Sequence, residues 1–498
     1  MIRKLIYACV GMFFLLPPLS HAGSFGKDDP SGIPGQWYVG TKPSNVSPSK
    51  YPILFIHGLN SSSKTWWNEN NMYDTAYQNS YETAFIDLHP TKNMWDNGKL
   101  LAGKIRDISN YFGEKVVIVA HSKGGIDAQS ALVHYGAFPY VERVITLSAP
   151  HYGSQLADLA YSSWAGWLTG IIGSKNDATY SLQTGYMNYF RSKTDYHANA
   201  YKNPFYTFGG TKWGSFGSSL YWGGLYLSGY GANDGAVTVN SSKLSYGTEL
   251  KVGEWNHTTI KEGTSTFHLF KPYLNELYET AGSTIQAKDF VAAASTDLAS
   301  YTRGGEFTTK QQESFVVEEG VKEITINWIS SVPVTELTLK DPTNKPYTSF
   351  TIEKDATGYF SNAYHHSLTI QNPQSGQWSL NAESDKLARY LLNITFDSPL
   401  LENLKIDLTD KNIKFNTKDS RVQIKTDLMV EYYKNGKLKM GNILIKEGHD
   451  GSFKLPKIGE GVYNITIDMI GKLDKQRFQR TMIKTVYIDA AGKVYFNQ

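Results

Sequence analysis

Short, unbroken apolar runs alternate with longer amphipathic stretches over the first half of the chain. Pro52-Ile53-Leu54-Phe55-Ile56, Val116-Val117-Ile118-Val119-Ala120 and Val144-Ile145-Thr146-Leu147 are almost wholly apolar at consecutive positions, the pattern of strands covered on both faces. Gly98 to Phe112 and Gly125 to Tyr135 carry the helical period instead. Buried strands alternating with helices predict a parallel sheet with crossover helices. The alternation starts at Tyr51 and is assigned to residues 51–282, closing on an amphipathic stretch from Phe267 to Tyr278 that is expected to be helical.

Beyond a small-residue connection at Ala292-Ala293-Ala294-Ser295 the rhythm shortens. Phe315-Val316-Val317, Ile324-Thr325-Ile326, Leu337-Thr338-Leu339, Leu368-Thr369-Ile370 and Trp378-Ser379-Leu380 are brief apolar segments separated by turn residues, as in an antiparallel sandwich. A second such unit includes Glu431 to Leu438, whose Asn435-Gly436 is a hairpin turn signal. Gly461 to Ile467 and Thr485 to Ile488 supply further strands. The expected order is therefore a sheet-and-helix unit at 51–282, then two all-β sandwich-like domains at 283–390 and 391–498.

The chain of 498 residues is long enough for several cores. Arg3 and Lys4, the apolar stretch Leu5 to Leu16 and the small-x-small triplet Ser20-His21-Ala22 read as a secretory signal over residues 1–22, followed by an extended lead-in at 23–50. The expected location is extracellular. Cys9, the single cysteine, lies in that signal, so neither a disulfide nor a cysteine-ligated metal is expected in the mature chain. A net charge of +3 with no basic run argues against a nucleic-acid partner.

The chemistry concentrates at Val119-Ala120-His121-Ser122-Lys123-Gly124-Gly125. A buried strand runs into a serine flanked by small residues, and a helix follows; this is a strand-to-helix elbow that lifts a hydroxyl clear of the sheet. Acyl transfer at Ser122 needs two donors for the developing oxyanion. The N–H of Lys123 is one candidate and that of Leu59, in His57-Gly58-Leu59 at the end of an early strand, is the other. A serine also needs a base, and the base an orienting carboxylate. Asp234, in Ala232-Asn233-Asp234-Gly235-Ala236, is the chosen acid, with Asp195 and Glu254 as rivals. His257 is the chosen base; His268, among Phe267, Leu269 and Phe270, reads as a packed helix-face residue. His57, Gly58 and His121 are expected to border the substrate. Between Ala157 and Phe190, Trp164, Trp167, Leu168, Ile171 and Ile172 stand among glycines, the composition of a mobile amphipathic flap; Trp164 and Trp167 are expected to touch substrate.

On these residues, with Ser148-Ala149-Pro150-His151-Tyr152-Gly153-Ser154, the stretch from Pro52 to about Leu277 resembles the bacterial lipases and esterases of the α/β-hydrolase superfamily. The resemblance implies a secreted enzyme that cleaves carboxylic esters of lipids through Ser122, Asp234 and His257, working at a lipid–water interface or cell surface without cofactor. Lys123 departs from the Met or Gln common at its position, which points to an altered pocket entrance. No Asp closely follows His257, so the resemblance does not extend to the calcium site some of these lipases carry there, and no metal is assigned. The competing reading is a binding or adhesion protein that uses the sandwiches, with Trp328 and Trp378 as contact residues.

Overall fold

The computed structural model describes residues 32–276, 299–400, 404–408, 412–417, 421–446 and 452–496, apart from 172, 335 and 475. The signal, the start of the lead-in and the Ala292–Ser295 connection lie outside the described residues.

The first half is built on a sheet of seven strands: β1 (Trp37–Val39), β2 (Ile53–Ile56), β3 (Thr83–Ile86), β4 (Val116–His121), β5 (Val141–Leu147), β6 (Phe205–Gly210) and β7 (Thr248–Gly253), in the order β1-β3-β2-β4-β5-β6-β7. All neighbours pair in parallel except β1, which runs antiparallel to β3 at the edge. The unbroken apolar runs follow from this geometry. Leu54, Ile56, Ile118 and Ala120 point to a core shared with Leu101, Ile105, Ile108 and Leu132, whereas Ile53, Phe55, Val117 and Val119 join Trp66, Phe85, Phe267 and Phe270 on the other face.

The helices of this half that bear on the site are α1 (Met94–Phe112), α2 (Lys123–His134), α3 (Gln155–Ala160), α4 (Gly166–Ile171), α5 (Thr184–Thr194) and α6 (Ser219–Ser228). Helix α1 starts at Asn93, whose side chain accepts from the N–H groups of Trp95 and Asp96, and stops at left-handed Gly113. Of the helix expected from Phe267 to Tyr278, the described residues, which end at 276, form instead a broken coil: a π turn at Gly263–Phe267, a short α segment at His268–Phe270 and a 3-10 turn at Lys271–Leu274. Pro272 has no N–H to continue the ladder, yet Phe267, Phe270 and Leu274 still fill the core.

The second half is antiparallel. The first unit pairs β8 (Ser300–Phe307), β9 (Lys310–Val317), β10 (Glu323–Ser330), β11 (Glu336–Lys340), β12 (Pro346–Tyr347), β13 (Thr351–Lys354), β14 (Tyr364–Gln371), β15 (Gly376–Glu383) and β16 (Ala388–Asp397) into sheets β13-β14-β10-β16-β8 and β12-β11-β15-β9. The division expected near 390 falls inside β16, which pairs with β10 on one side and β8 on the other, so the change of unit comes after Asp397. Alternating Tyr390, Leu392, Ile394 and Phe396 belong to the first core, and an apolar strand carries no mark of which sheet it will join. Trp328 and Trp378 sit in this core rather than on a contact surface. The second unit holds β17 (Leu404–Leu408), β18 (Asn412–Thr417), β19 (Val422–Lys434), β20 (Lys437–Ile445), β21 (Ser452–Lys454), β22 (Gly461–Leu473), β23 (Gln476–Ile488) and β24 (Val494–Phe496), with β19 and β20 turning at Asn435-Gly436, both at positive φ.

Both β units pack on the first half. Asn464 Nδ2 donates to the carbonyl of Asp158 on α3, and Thr485 Oγ1 donates to its carboxylate and receives the N–H of Gly185 on α5. Helix α4 rests against β8 and β16. The β units are tied to each other by a buried ion pair between Arg480 and Glu318.

Candidate active site

Ser122 stands between β4 and α2 with φ 52° and ψ −132°, a conformation an L-residue rarely holds. The turn is enforced by close main-chain approach on both sides. A Cβ on Gly124 would stand 2.4 Å from the carbonyl oxygen of His57, and one on Gly58 would stand 2.8 Å from Ser122 Cβ. The elbow is tied to the sheet by Ser122 N–H donating to Leu147 O.

Three loops at the carboxyl ends of the strands bring the selected polar residues together. His257 Nε2 lies 3.1 Å from Ser122 Oγ, and His257 Nδ1 lies 2.7 Å from Asp234 Oδ2. The other carboxylate oxygen, Oδ1, accepts the N–H groups of Ala236 and Val237 at 3.0 and 2.8 Å. Asp234 is fully buried, so each of its oxygens has a fixed partner and the imidazole a fixed orientation. This geometry can pass the serine proton to His257 while Asp234 holds the Nδ1–H tautomer.

The flanking histidines act on the main chain. His57 Nε2 accepts the N–H of Leu88 at 2.9 Å, leaving Nδ1–H to meet Gly58 O at 2.9 Å. Burial holds its pKa down at about 4, so it is neutral as it fixes the loop that carries Leu59. His121 Nε2–H donates to the carbonyl of His257 at 2.8 Å and is pushed well below the usual histidine range, first by burial and then by the neighbouring His257. The Leu59 loop is held further by Asp87, whose Oδ1 accepts Ser63 N–H at 2.7 Å.

Lys123 is the first residue of α2, so its N–H is one of those without an intrahelical acceptor. Its side chain does not shape the pocket entrance. The ammonium turns inward to both oxygens of Asp127, at 2.7 and 2.8 Å, with Asn97 Nδ2 on the same carboxylate. Burial pushes the lysine down and the aspartate up, and their pairing opposes both shifts.

A cavity of about 200 Å3 adjoins the serine, lined by Gly58, Leu59, Asn60, His121, Ser122 and His257 and also by Asp355 to Tyr359 and Ser361. The last group comes from the first β unit, in the loop between β13 and β14, and nothing in its sequence marked it. Asn60 Nδ2 donates to Gly358 O at 2.9 Å and to Ser361 Oγ at 3.0 Å. The loop is shaped from within by Asp355, which accepts from Gly358 N–H, Phe360 N–H and Thr357 Oγ1 and lies 3.1 Å from His365 Nε2.

The remaining selected residues lie elsewhere. His57, expected to border the substrate, and Trp164 and Trp167 do not line the cavity. Trp164 Nε1 donates to Asp468 of the second β unit, and Arg303 of the first stacks on its ring at 4.7 Å; Trp167 is half exposed. The flap segment is thus engaged by the β units, whose polar side chains satisfy the indole. Asp195 pairs with Arg191 at 3.3 Å, away from Ser122, and Glu254 is exposed. His268 is also exposed rather than packed, because the broken coil turns it outward.

Comparison with known proteins agrees with this architecture. Residues 91–163 match the family described as PGAP1-like alpha/beta domain. The chain is 31% identical over 133 residues to triacylglycerol lipase 2 of Saccharomyces cerevisiae, a match that spans 25% of this chain and 40% of the yeast protein. It is 42% identical to the lipase BlEst2 of Bacillus licheniformis in its propeptide form, covering 94% of this chain and all of that one with a TM-score of 0.84. The mature form of the same lipase is 56% identical over 49% of this chain and all of that one, with a TM-score of 0.47. The chain belongs to the lipases and esterases of the α/β-hydrolase fold, carrying β-sandwich units after its hydrolase half.

Proposed function

We propose that this protein is an exported carboxylic ester hydrolase, acting on lipid esters through Ser122, His257 and Asp234, and that its C-terminal β units cover the catalytic serine until they are displaced. The observation that carries the reading is His257 bridging Ser122 Oγ and Asp234 Oδ2 beside the cavity. Ser122 Oγ attacks the ester carbonyl as His257 takes its proton. The oxyanion is received by the N–H groups of Leu59 and Lys123. Collapse expels the alcohol with the proton from His257, and water, activated by the same imidazole, releases the acid. No metal or cofactor enters these steps. Lipid as the natural ester is supported by the lipases to which the chain is related; export rests on the Arg3-Lys4, Leu5–Leu16 and Ser20-His21-Ala22 pattern. Covering is supported by the Asp355–Ser361 loop beside the serine and by the propeptide form of BlEst2, to which 94% of this chain is similar.

The test compares p-nitrophenyl butyrate and longer esters as substrates for the full chain, for an open-loop variant (Tyr359→Gly with Phe360→Gly) and for that variant carrying Ser122→Ala. The open-loop chain should turn esters over faster than wild type, and Ser122→Ala should abolish the gain. A folded open-loop chain inert toward every ester would contradict the hydrolase reading. Equal rates for wild type and open-loop chain would contradict covering alone.

A further inference from the structure

Asn60 follows Leu59 in the chain and lines the cavity beside Ser122. It stands two residues beyond Gly58, where a Cβ would come 2.8 Å from Ser122 Cβ, so the α-carbons of Asn60 and Gly58 are at most about 7 Å apart. Its backbone is left-handed, with φ 49°, a conformation asparagine adopts more readily than most residues, and its N–H donates to Pro90 O at 3.1 Å. The side-chain amide is thus presented from a fixed base. Nδ2 carries two N–H bonds, and two oxygens of the covering loop receive it: Gly358 O at 2.9 Å and Ser361 Oγ at 3.0 Å. The Gly358 carbonyl is a planar acceptor of the same kind as an ester or ketone carbonyl. The lining nearby is polar as well, with Ser61, Thr258 and Lys261. Displacing the loop takes the acceptor away from a fixed donor in the catalytic cavity.

We propose that Asn60 is a substrate-binding residue: with the loop displaced, Nδ2 donates to a carbonyl oxygen of the substrate other than the one attacked, so the centre prefers esters that carry a second carbonyl. Gly358 O holds that oxygen's place in the covered chain. The inference rests on the proposed reading of Ser122 as nucleophile and of the loop as a displaceable cover. The favoured class is diesters and oxo-esters over plain alkyl esters of equal length. A plain alkyl chain lying on Asn60 shuts water away from Nδ2 and offers no acceptor in return, whereas a second carbonyl restores the bond the loop made, so the discrimination acts against the substrate that lacks it. The second carbonyl belongs either to the acyl part or to the alcohol part of the ester; the same donor reads both, and the two arms of the test separate them. Asn60 forms and breaks no covalent bond.

The test uses the full-length open-loop variant, alone and with Asn60→Asp or Asn60→Gly added. Asp keeps the shape of the side chain without its donor, and Gly accepts the positive φ. One arm compares p-nitrophenyl 4-oxopentanoate with p-nitrophenyl pentanoate, which puts the second carbonyl in the acyl part. The other compares ethylene glycol dibutyrate with heptyl butyrate, which puts it in the alcohol part. The ratio of kcat/KM within a pair should fall about tenfold in both Asn60 variants in at least one arm, the effect of one hydrogen bond in a closed site; the arm that falls says which part of the ester carries the oxygen. Because each ratio is taken on one protein, a general loss of folded enzyme does not move it, and the intrinsic reactivity of the esters cancels between variants. Unchanged ratios in both arms, with the plain esters turned over, would overturn the inference and leave the hydrolase reading standing. A fall in Asn60→Gly alone, which tracks lost shape, or in Asn60→Asp alone, which tracks added charge, would also overturn it. Failure on all four esters would sink the nucleophile assignment, and this inference with it.

Discussion

Replacing Asp234 by Asn probes the triad without changing its shape. Oδ1 of Asp234 accepts two main-chain N–H groups, from Ala236 and Val237, and Oδ2 faces His257 Nδ1. In Asp234→Asn the single amide oxygen must stay with those two donors, because turning it would set an NH2 against them in a fully buried place. The amide nitrogen then faces His257 and donates to Nδ1. The imidazole is driven to carry its proton on Nε2, facing Ser122 Oγ, where it can no longer accept the serine proton. The same tautomer change in a Ser-His-Asp protease costs about 10⁴ in kcat, equal to about 5.4 kcal/mol at about 1.36 kcal/mol per tenfold, and a similar loss is expected here. The assay is kcat/KM for p-nitrophenyl butyrate with the open-loop variant as background. Asp234→Ala supplies the sign. A purely structural role for Asp234 would make the isosteric Asn far milder than Ala, whereas the tautomer argument makes Asn no better. A loss under tenfold in Asp234→Asn, or an Asn variant a hundred times more active than Ala, would refute the reasoning.

Three further outcomes are expected. Asp127→Ala strands the buried Lys123 ammonium and should lower stability in urea unfolding by about 3–5 kcal/mol, with most of it regained when Lys123→Met and Asp127→Leu are combined; a loss below about 1 kcal/mol would show the pair to be dispensable. Gly124→Ala places a Cβ 2.4 Å from His57 O and should displace the elbow, giving a fall in kcat much larger than any change in KM; wild-type kcat would contradict the close-approach argument. Asp158, at the contact with the second β unit, has its pKa raised to about 6 by burial, against hydrogen bonds from Thr184 and Thr485 that pull it down. The folded state therefore holds this proton more tightly than the unfolded one, so the carboxyl's contribution to stability is most favourable below about pH 3.8 and declines as pH rises to about 6, by about 3 kcal/mol in all. Thermal melts of Asp158→Asn should show a smaller loss of Tm between pH 4 and 7 than wild type; an equal loss would remove Asp158 from the pH response.

The hydrolase half is legible in sequence because its constraints are local. Burial on both faces makes β2 and β4 apolar at every position, and the elbow demands small residues at Ala120 and Gly124, so strand, nucleophile and helix sit within a dozen residues. Asp234 and His257 follow from the need for an acid and a base on later strand ends. What the sequence hides is contact across the chain. Asn60 and Gly358 meet across 298 positions, and Asp355-Ala356-Thr357-Gly358 has the composition of any turn between sandwich strands. The direction of Lys123 is equally hidden, because its partner Asp127 lies one helical turn on, where a solvated i,i+4 pair looks the same. Trp164 and Trp167 read as a flap because apolar residues among glycines suit one, yet Asp468 and Arg303, far down the chain, take up Trp164.

The most direct test of the account is labelling with a fluorophosphonate, which reacts with an activated serine, followed by peptide mapping of the adduct. The open-loop variant should carry one adduct, on the peptide containing Ser122, with Asp234→Asn slowing its formation and wild type reacting more slowly than the open-loop chain. A folded open-loop chain that stays unlabelled at Ser122, or takes the label on another serine, would contradict the assignment of Ser122 as the nucleophile.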